Sequence, residues 1–341
     1  MKNLMRKTII VIALLVFFGC NNQKSFMLSD SSKFMIITAP KEMMDSKITF
    51  SSFNKEGKLV NKEKHEALGA WQSDFIGNHI FVTGSNTMIA YDSIKQETIS
   101  FESDSSIEYV ARKGNQIYFL ENQGIKKGDS NYVSSICKVT ISDEVKKYSK
   151  DQFQCVTYDN FIPYDIYIWG DSIVAIYSDF LTMEQYIFTY DFDLNLLNKE
   201  QIKTKGNKIL GEKNNSIIMT DFEGYYIYPT NKAMNTPNPS ESFSYVLPFQ
   251  KGYLRNNFNN DGTEVYFETF DENWNIESKK IFSSDHRKVV ESVGDSEIIS
   301  LLEIKDNEYT ILFFDVMNNA YIPFKYQVND NETVIGAYYL K

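Results

Sequence analysis

One short phrase recurs along this 341-residue chain and restricts its architecture more than any other feature. A Gly followed by Asn or Asp leads within a few residues to an Ile that opens an apolar run. It stands at Gly77-Asn78-His79-Ile80, Gly114-Asn115-Gln116-Ile117, Gly170-Asp171-Ser172-Ile173 and Gly294-Asp295-Ser296-Glu297-Ile298. Weaker copies are Lys213-Asn214-Asn215-Ser216-Ile217 and Lys251-Gly252-Tyr253-Leu254. Gly and Asn tolerate the positive φ of a tight hairpin turn, so each copy predicts a β-hairpin.

Strand-like stretches precede these turns, as at Ile107–Arg112, Tyr164–Trp169, Phe243–Phe249 and Lys288–Val293. Two more follow each turn, and the second often ends in an aromatic and an Asp: Tyr91-Asp92, Tyr190-Asp191, Phe270-Asp271, Phe314-Asp315. Apolar spacing of two, or short continuous runs between turn residues, argues against helices. Each unit is a four-stranded antiparallel meander, A-B-C-D.

Six units start near residues 71, 107, 164, 207, 243 and 286, and the chain ends supply a seventh. Thr333–Leu340 reads as a lone strand A, with Phe34–Thr38, Ile48–Phe53 and Lys58–Lys62 as B, C and D. The expectation is an all-β propeller over residues 34–341, its ring closed by pairing the last strand with the first. Seven units of 44 residues fill that span, inside the roughly 40–50 residues of a propeller blade. A β-sandwich would need neither the regular turn phrase nor a lone terminal strand. Six blades is the alternative, since Pro237 and Pro239 stand where strand D of one unit belongs.

Before the repeat, Lys2, Arg6 and Lys7 precede an apolar run, Thr8–Phe18, that stops at Gly19-Cys20. The run is too short to span a bilayer, which takes about 20 apolar residues, and its order matches a secretory leader. Phe17-Phe18-Gly19-Cys20 resembles a relaxed lipobox of bacterial lipoproteins. That resemblance implies a signal peptide over 1–19, lipidation of Cys20, and membrane attachment through the lipid. Residues 20–33 read as a polar, flexible tether. Asn21, where Asp would signal inner-membrane retention, is similar to outer-membrane sorting sequences; the leaflet stays open. The repeat itself resembles the propeller lipoproteins of Gram-negative gut anaerobes, TolB-like and YWTD-like in style. A true YWTD motif is absent, so the resemblance implies a fold and a compartment rather than an activity.

The formal charge of −10 becomes −13 once Lys2, Arg6 and Lys7 leave with the leader, which gives no electrostatic reason to bind nucleic acid. With Cys20 lipidated, Cys137 and Cys155 remain, either joined or as two buried thiols. His65, His79 and His286 lie outside metal-ligand spacing of one another and of any Cys, and no cofactor or metal motif is present. Asp191-Phe192-Asp193-Leu194-Asn195 has half the outline of a calcium loop, but Leu196 replaces the required Gly. Its recurrence at Asn54 and Asp271 marks a C–D hairpin turn. Trp71, Trp169 and Trp274 could stack on sugar rings but are expected mostly to pack between blades.

In an A-B-C-D blade the A–B and C–D turns share one face, while B–C loops and D–A connections share the other. The expected long segments, Glu121–Ser134, Ser178–Gln185, Arg255–Thr263 and Thr230–Ser242, all fall on the second face. Binding there is assigned to Lys126, Lys127, Tyr132, Phe180, Arg255 and Phe258, cations and aromatics that interrupt an acidic chain. The function expected is a monomeric, non-catalytic binding or assembly module at the cell envelope, with an envelope protein or glycan as partner. A carbohydrate-active enzyme using a carboxylate pair and a scaffold of an envelope complex are the alternatives. A channel-lining carboxylate pair flanked by aromatics would favour the enzyme.

Overall fold

The computed structural model describes residues 32–340 apart from 43–46, 68, 71, 126–129, 204–205, 222–223, 231, 235–244, 250–251, 260–261, 285–286, 291–297 and 307. The leader, Cys20 and residues 21–31 of the expected tether lie outside the described residues; its last two residues belong to the fold instead, Ser32 being buried and Lys33 bonded through its backbone to Phe53 and Leu340.

Seven antiparallel four-stranded sheets follow one another as the blades of a β-propeller. Blade 1 joins β29 (Glu332–Tyr339) to β1 (Phe34–Pro40), β2 (Lys47–Phe53) and β3 (Leu59–Glu66). The register Phe34↔Tyr339 to Pro40↔Glu332 closes the ring with the chain termini, as expected. Blade 2 holds β4 (Gln72–Ile76) to β7 (Glu97–Glu102), and blade 3 holds β8 (Ser106–Lys113), β9 (Gln116–Ile125), β10 (Tyr132–Thr140) and β12 (Gln154–Asp159). Blade 4 runs from β13 (Phe161–Trp169) to β16 (Leu196–Ile202), and blade 5 from β17 (Lys208–Lys213) to β20 (Lys232–Met234). Blade 6 runs from β21 (Tyr245–Phe249) to β24 (Ile276–Ser284), and blade 7 from β25 (Arg287–Val290) to β28 (Ala320–Gln327). The three-residue β20 is the fourth strand of blade 5, which decides between seven blades and six. Pro237 and Pro239 lie outside the described residues.

Alternating side chains send the two faces of each sheet toward different neighbours. Ile80, Val82 and Tyr91 pack on Met35, Ile37 and Phe50 of blade 1, while Phe81, Met88 and Phe101 of the same sheet pack on Ile117, Phe119 and Val139 of blade 3. Similar clusters fill the other interfaces, so every blade is covered on both faces without a central core. Trp169 packs at the blade 4–5 interface and Trp274 at the blade 5–6 interface. Trp71 lies outside the described residues.

The repeated turns behave as read. Gly77, Gly114 and Gly170 adopt φ of 65°, 62° and 59°. Asp191 and Asp271 each accept backbone N–H bonds two and four residues ahead, at 2.8–2.9 Å, which makes them turn formers. One feature has no counterpart in the repeat: after β10 the chain crosses to blade 2, where β11 (Lys147–Ser149) adds a parallel fifth strand to the edge strand β7.

Two of the expected long loops prove to be mostly strand. β22 (Gly252–Asn259) and β23 (Gly262–Phe270) stay paired down to Asn259↔Gly262, so Arg255–Thr263 is a hairpin arm rather than a loop. Likewise β9 and β10 pair up to Ile125↔Tyr132, leaving only 126–131 between them.

Candidate functional site

The first strand of each blade lies innermost, and four of these strands are bulged. In β8, Glu108 and Tyr109 together occupy the place opposite Leu120, between the pairs Ile107↔Glu121 and Val110↔Phe119. Tyr164 is the extra residue in β13, Leu210 in β17 and Ile335 in β29. A bulge re-aims the side chains beside it, and bulges concentrate at barrel rims and active sites. Each of these four strands enters from a D–A connection, so the bulges sit in the half of the ring nearer the loop face.

These innermost strands carry acids and tyrosines: Asp74 on β4, Glu108 and Tyr109 on β8, Tyr164 and Asp165 on β13, with Tyr109 packed against the blade 3–4 cluster and Tyr164 against the blade 4–5 cluster. All five are half-buried. Asp165 accepts Ile166 N–H at 2.9 Å and Ile209 N–H at 2.6 Å, the second tying blade 4 to blade 5. Burial pushes its pKa up to about 7, against the opposing pull of Lys208 and the two N–H donors and with help from Asp74. Burial also raises Glu108, while Asn122 Nδ2 donates to its Oε1 at 2.8 Å. Tyr109 is raised chiefly by burial, with further contributions from Asp165, Glu108, Tyr164 and Asp74.

Tyr132 joins this cluster from the loop side. Burial pushes its phenol up to about 12, with Glu108 and Asn122 beside it. Its ring stacks on Phe180 at 5.4 Å. Asn160, at φ 61°, braces the pair: it donates N–H to Tyr132 O at 2.6 Å and accepts Phe180 N–H on its own carbonyl at 2.8 Å. Two of the expected binding residues therefore meet on the loop face, on blades 3 and 4.

Arg255 is corrected in place. It is fully buried, at 0% exposure, its Nε 2.8 Å from Oε1 of an equally buried Glu268. Its Nη1 donates to Asn257 at 2.7 Å, and its guanidinium lies over the Tyr266 ring. Tyr225 of blade 5 and Ser278 also donate to Glu268. An interior ion pair fits an arginine whose strand neighbours are all paired; the loop placement failed because β22 runs further than its turn-like Asn residues suggest. Lys126 and Lys127 lie outside the described residues; Phe258 lies in β22.

Cys137 and Cys155 form a disulfide between directly opposed positions of β10 and β12, with Cα atoms 4.1 Å apart. Nearby, a groove of about 620 Å³ opens on the loop face between blades 1 and 2, walled by Glu66, Asn86, Glu102, Ser103, Asp104 and Lys150. The β11 excursion supplies its outer wall.

Sequence reading missed the channel cluster. A signal existed, since strand A of three successive units sets an acid beside an aromatic, as Asp74-Phe75, Glu108-Tyr109 and Tyr164-Asp165.

No protein-family model and no curated protein matches the chain. Among solved structures, a Bacteroides fragilis protein with a proposed 6-phosphogluconolactonase activity is similar at TM-score 0.55 and 12% identity, covering 92% of this chain and 99% of its own. AztD from Citrobacter koseri is similar at TM-score 0.52 and 9% identity, covering 91% and 98%. The Pyrococcus horikoshii acylaminoacyl peptidase matches at TM-score 0.52 and 10% identity, and this chain spans only 53% of that enzyme. At such identities the likeness is one of fold alone.

Proposed function

We propose that this chain is a lipid-anchored envelope protein that binds a neutral, polyhydroxylated ligand such as a glycan at the loop-face mouth of its channel. The observation that carries the reading is the gathering of Asp74, Glu108, Tyr109, Tyr164 and Asp165 on three successive innermost strands, two of them bulged at these residues, with the stacked Tyr132–Phe180 pair on the loop face. Carboxylates and Asn122 exchange hydrogen bonds with hydroxyls, and tyrosine rings offer flat faces to a pyranose. An acidic channel in an acidic chain disfavours anionic ligands, so the phosphorylated substrate implied by the Bacteroides fragilis neighbour's name does not carry over. Attachment rests on Cys20 and the leader before it; the compartment is the outer membrane, with the protein monomeric there.

Titration calorimetry of the full chain with neutral oligosaccharides tests the reading. Glu108→Gln should abolish binding while leaving melting nearly unchanged, as should Tyr132→Ala combined with Phe180→Ala. Equal binding by these variants, or none by the wild type, overturns it. For the anchor, Cys20→Ala should lose palmitate labelling and membrane retention; a processed variant that stays on the membrane counts against lipidation.

A second reading, a carbohydrate-active enzyme, is favoured by one observation. Burial pushes Asp165 up to about 7, in the range of a general acid, and Asp74 is a second carboxyl group on the innermost strands. Release of reducing sugar by the wild type and not by Asp165→Asn would select it.

A further inference from the structure

Glu121 is a buried carboxylate, 1% exposed, and Ser103 Oγ at 2.5 Å is its hydrogen-bond donor. What stands beside it is the Cys137–Cys155 disulfide: Glu121 and Cys137 lie diagonally on one face of blade 3, through the pairs Glu121↔Ser135 and Phe119↔Cys137. One carboxylate oxygen and both sulfurs lie within 4.8 Å of one another.

We propose that reductive opening of Cys137–Cys155 creates, with Glu121, a three-ligand site for Zn²⁺ or a similar thiophilic divalent cation. The proposal is independent of the channel reading. A dithiol reductant supplies two electrons and two protons and is itself oxidised to a disulfide; the S–S bond breaks and two thiols remain. On metal binding both thiols release their protons to solvent, and the sulfurs and a Glu121 oxygen coordinate the ion. Zinc takes sulfur at about 2.3 Å and carboxylate oxygen at about 2.0–2.2 Å, so ligand atoms already within 4.8 Å need only small rotamer changes. Three protein ligands leave a fourth position for water or a substrate.

Cys155 is exposed on β12, the outermost strand of blade 3, where a reductant can reach it. Ser103, which donates to Glu121, also walls the groove between blades 1 and 2. While the disulfide is intact neither sulfur carries a thiolate, so the site exists only in the reduced state.

The test uses the full chain carrying Cys20→Ala, in which the pair supplies the only two thiols. After reduction and anaerobic removal of the reductant, Co²⁺ is titrated and read by thiolate-to-cobalt charge-transfer absorption, with Zn²⁺ competing. One equivalent should bind to the reduced protein and none to the oxidised. Adding Cys155→Ser should abolish the charge-transfer signal. Glu121→Gln keeps the shape and the Ser103 contact, and should bind about tenfold or more weakly. The proposal is overturned by absence of Co²⁺ binding to the reduced chain, by equal binding to the oxidised chain or to Glu121→Gln, or by loss of the β-sheet circular dichroism on reduction alone.

Discussion

Ser73 and Tyr338, 265 positions apart, bring their hydroxyls within 2.6 Å where the last strand meets the innermost strand of blade 2. Ser73 Oγ also donates to Ile335 O at 2.9 Å. The ring is thus held at its seam by pairing with β1 on one side and by these bonds to β4 on the other. Removing residues 333–341 should strip Ile335, Tyr338 and Leu340 from the blade 1–2 cluster and unpair β1. Burial of those three side chains alone amounts to about 5 kcal/mol or more. A truncated chain with unaltered thermal unfolding would falsify closure by this strand.

Glu268 and Arg255 predict a stability effect where the sequence suggested a surface one. Arg255→Ala leaves a fully buried carboxylate without its cation, which costs about 3–5 kcal/mol. Chemical denaturation should place this variant far below Tyr132→Ala, whose ring is only half-buried. Similar midpoints for the two would show that the pair contributes little.

His79 makes the fold acid-sensitive. Burial, aided by Arg112 and opposed by Asp92, pushes its pKa down to about 4 from an unfolded value near 6.5. A lowered folded pKa means that the unfolded chain takes up the proton first. This contribution to stability is present above pH 6.5 and is lost as pH falls to 4, by as much as about 3 kcal/mol. His79→Gln should flatten the decline between pH 6.5 and 4 in urea denaturation. An unchanged slope would mean that the ring accepts a proton in place.

Asp165 works in the opposite sense. Its folded pKa of about 7 lies above its ordinary value of 3.8, so its contribution is fully present below 3.8 and is lost as pH rises through 7. Asp165→Asn should therefore gain on the wild type as pH rises from about 4 to 7. Parallel stability curves for the two proteins across that interval would place the titration elsewhere.

Much of this architecture was legible in the sequence because hairpin turns and alternating apolar residues are local signals. The Gly77, Gly114 and Gly170 phrases place A–B hairpins where the structure has them, and the lone strand near residue 333 implied closure before any pairing was seen. Local chemistry likewise marked Asp191 and Asp271 as turn formers rather than calcium ligands.

Tertiary structure decided what depends on two or more strands at once. A bulge is a mismatch of register between neighbours, so the irregular placement of Glu108 and Tyr164 is written in pairing with β9 and β14, not in either segment alone. The same holds for Arg255, whose burial follows from Glu268 thirteen residues away on the next strand. It holds also for Glu121, whose nearness to two sulfurs arises only when β9, β10 and β12 lie side by side. Periodicity along one strand tells which residues share a face; what that face meets is set by the neighbouring strands and blades.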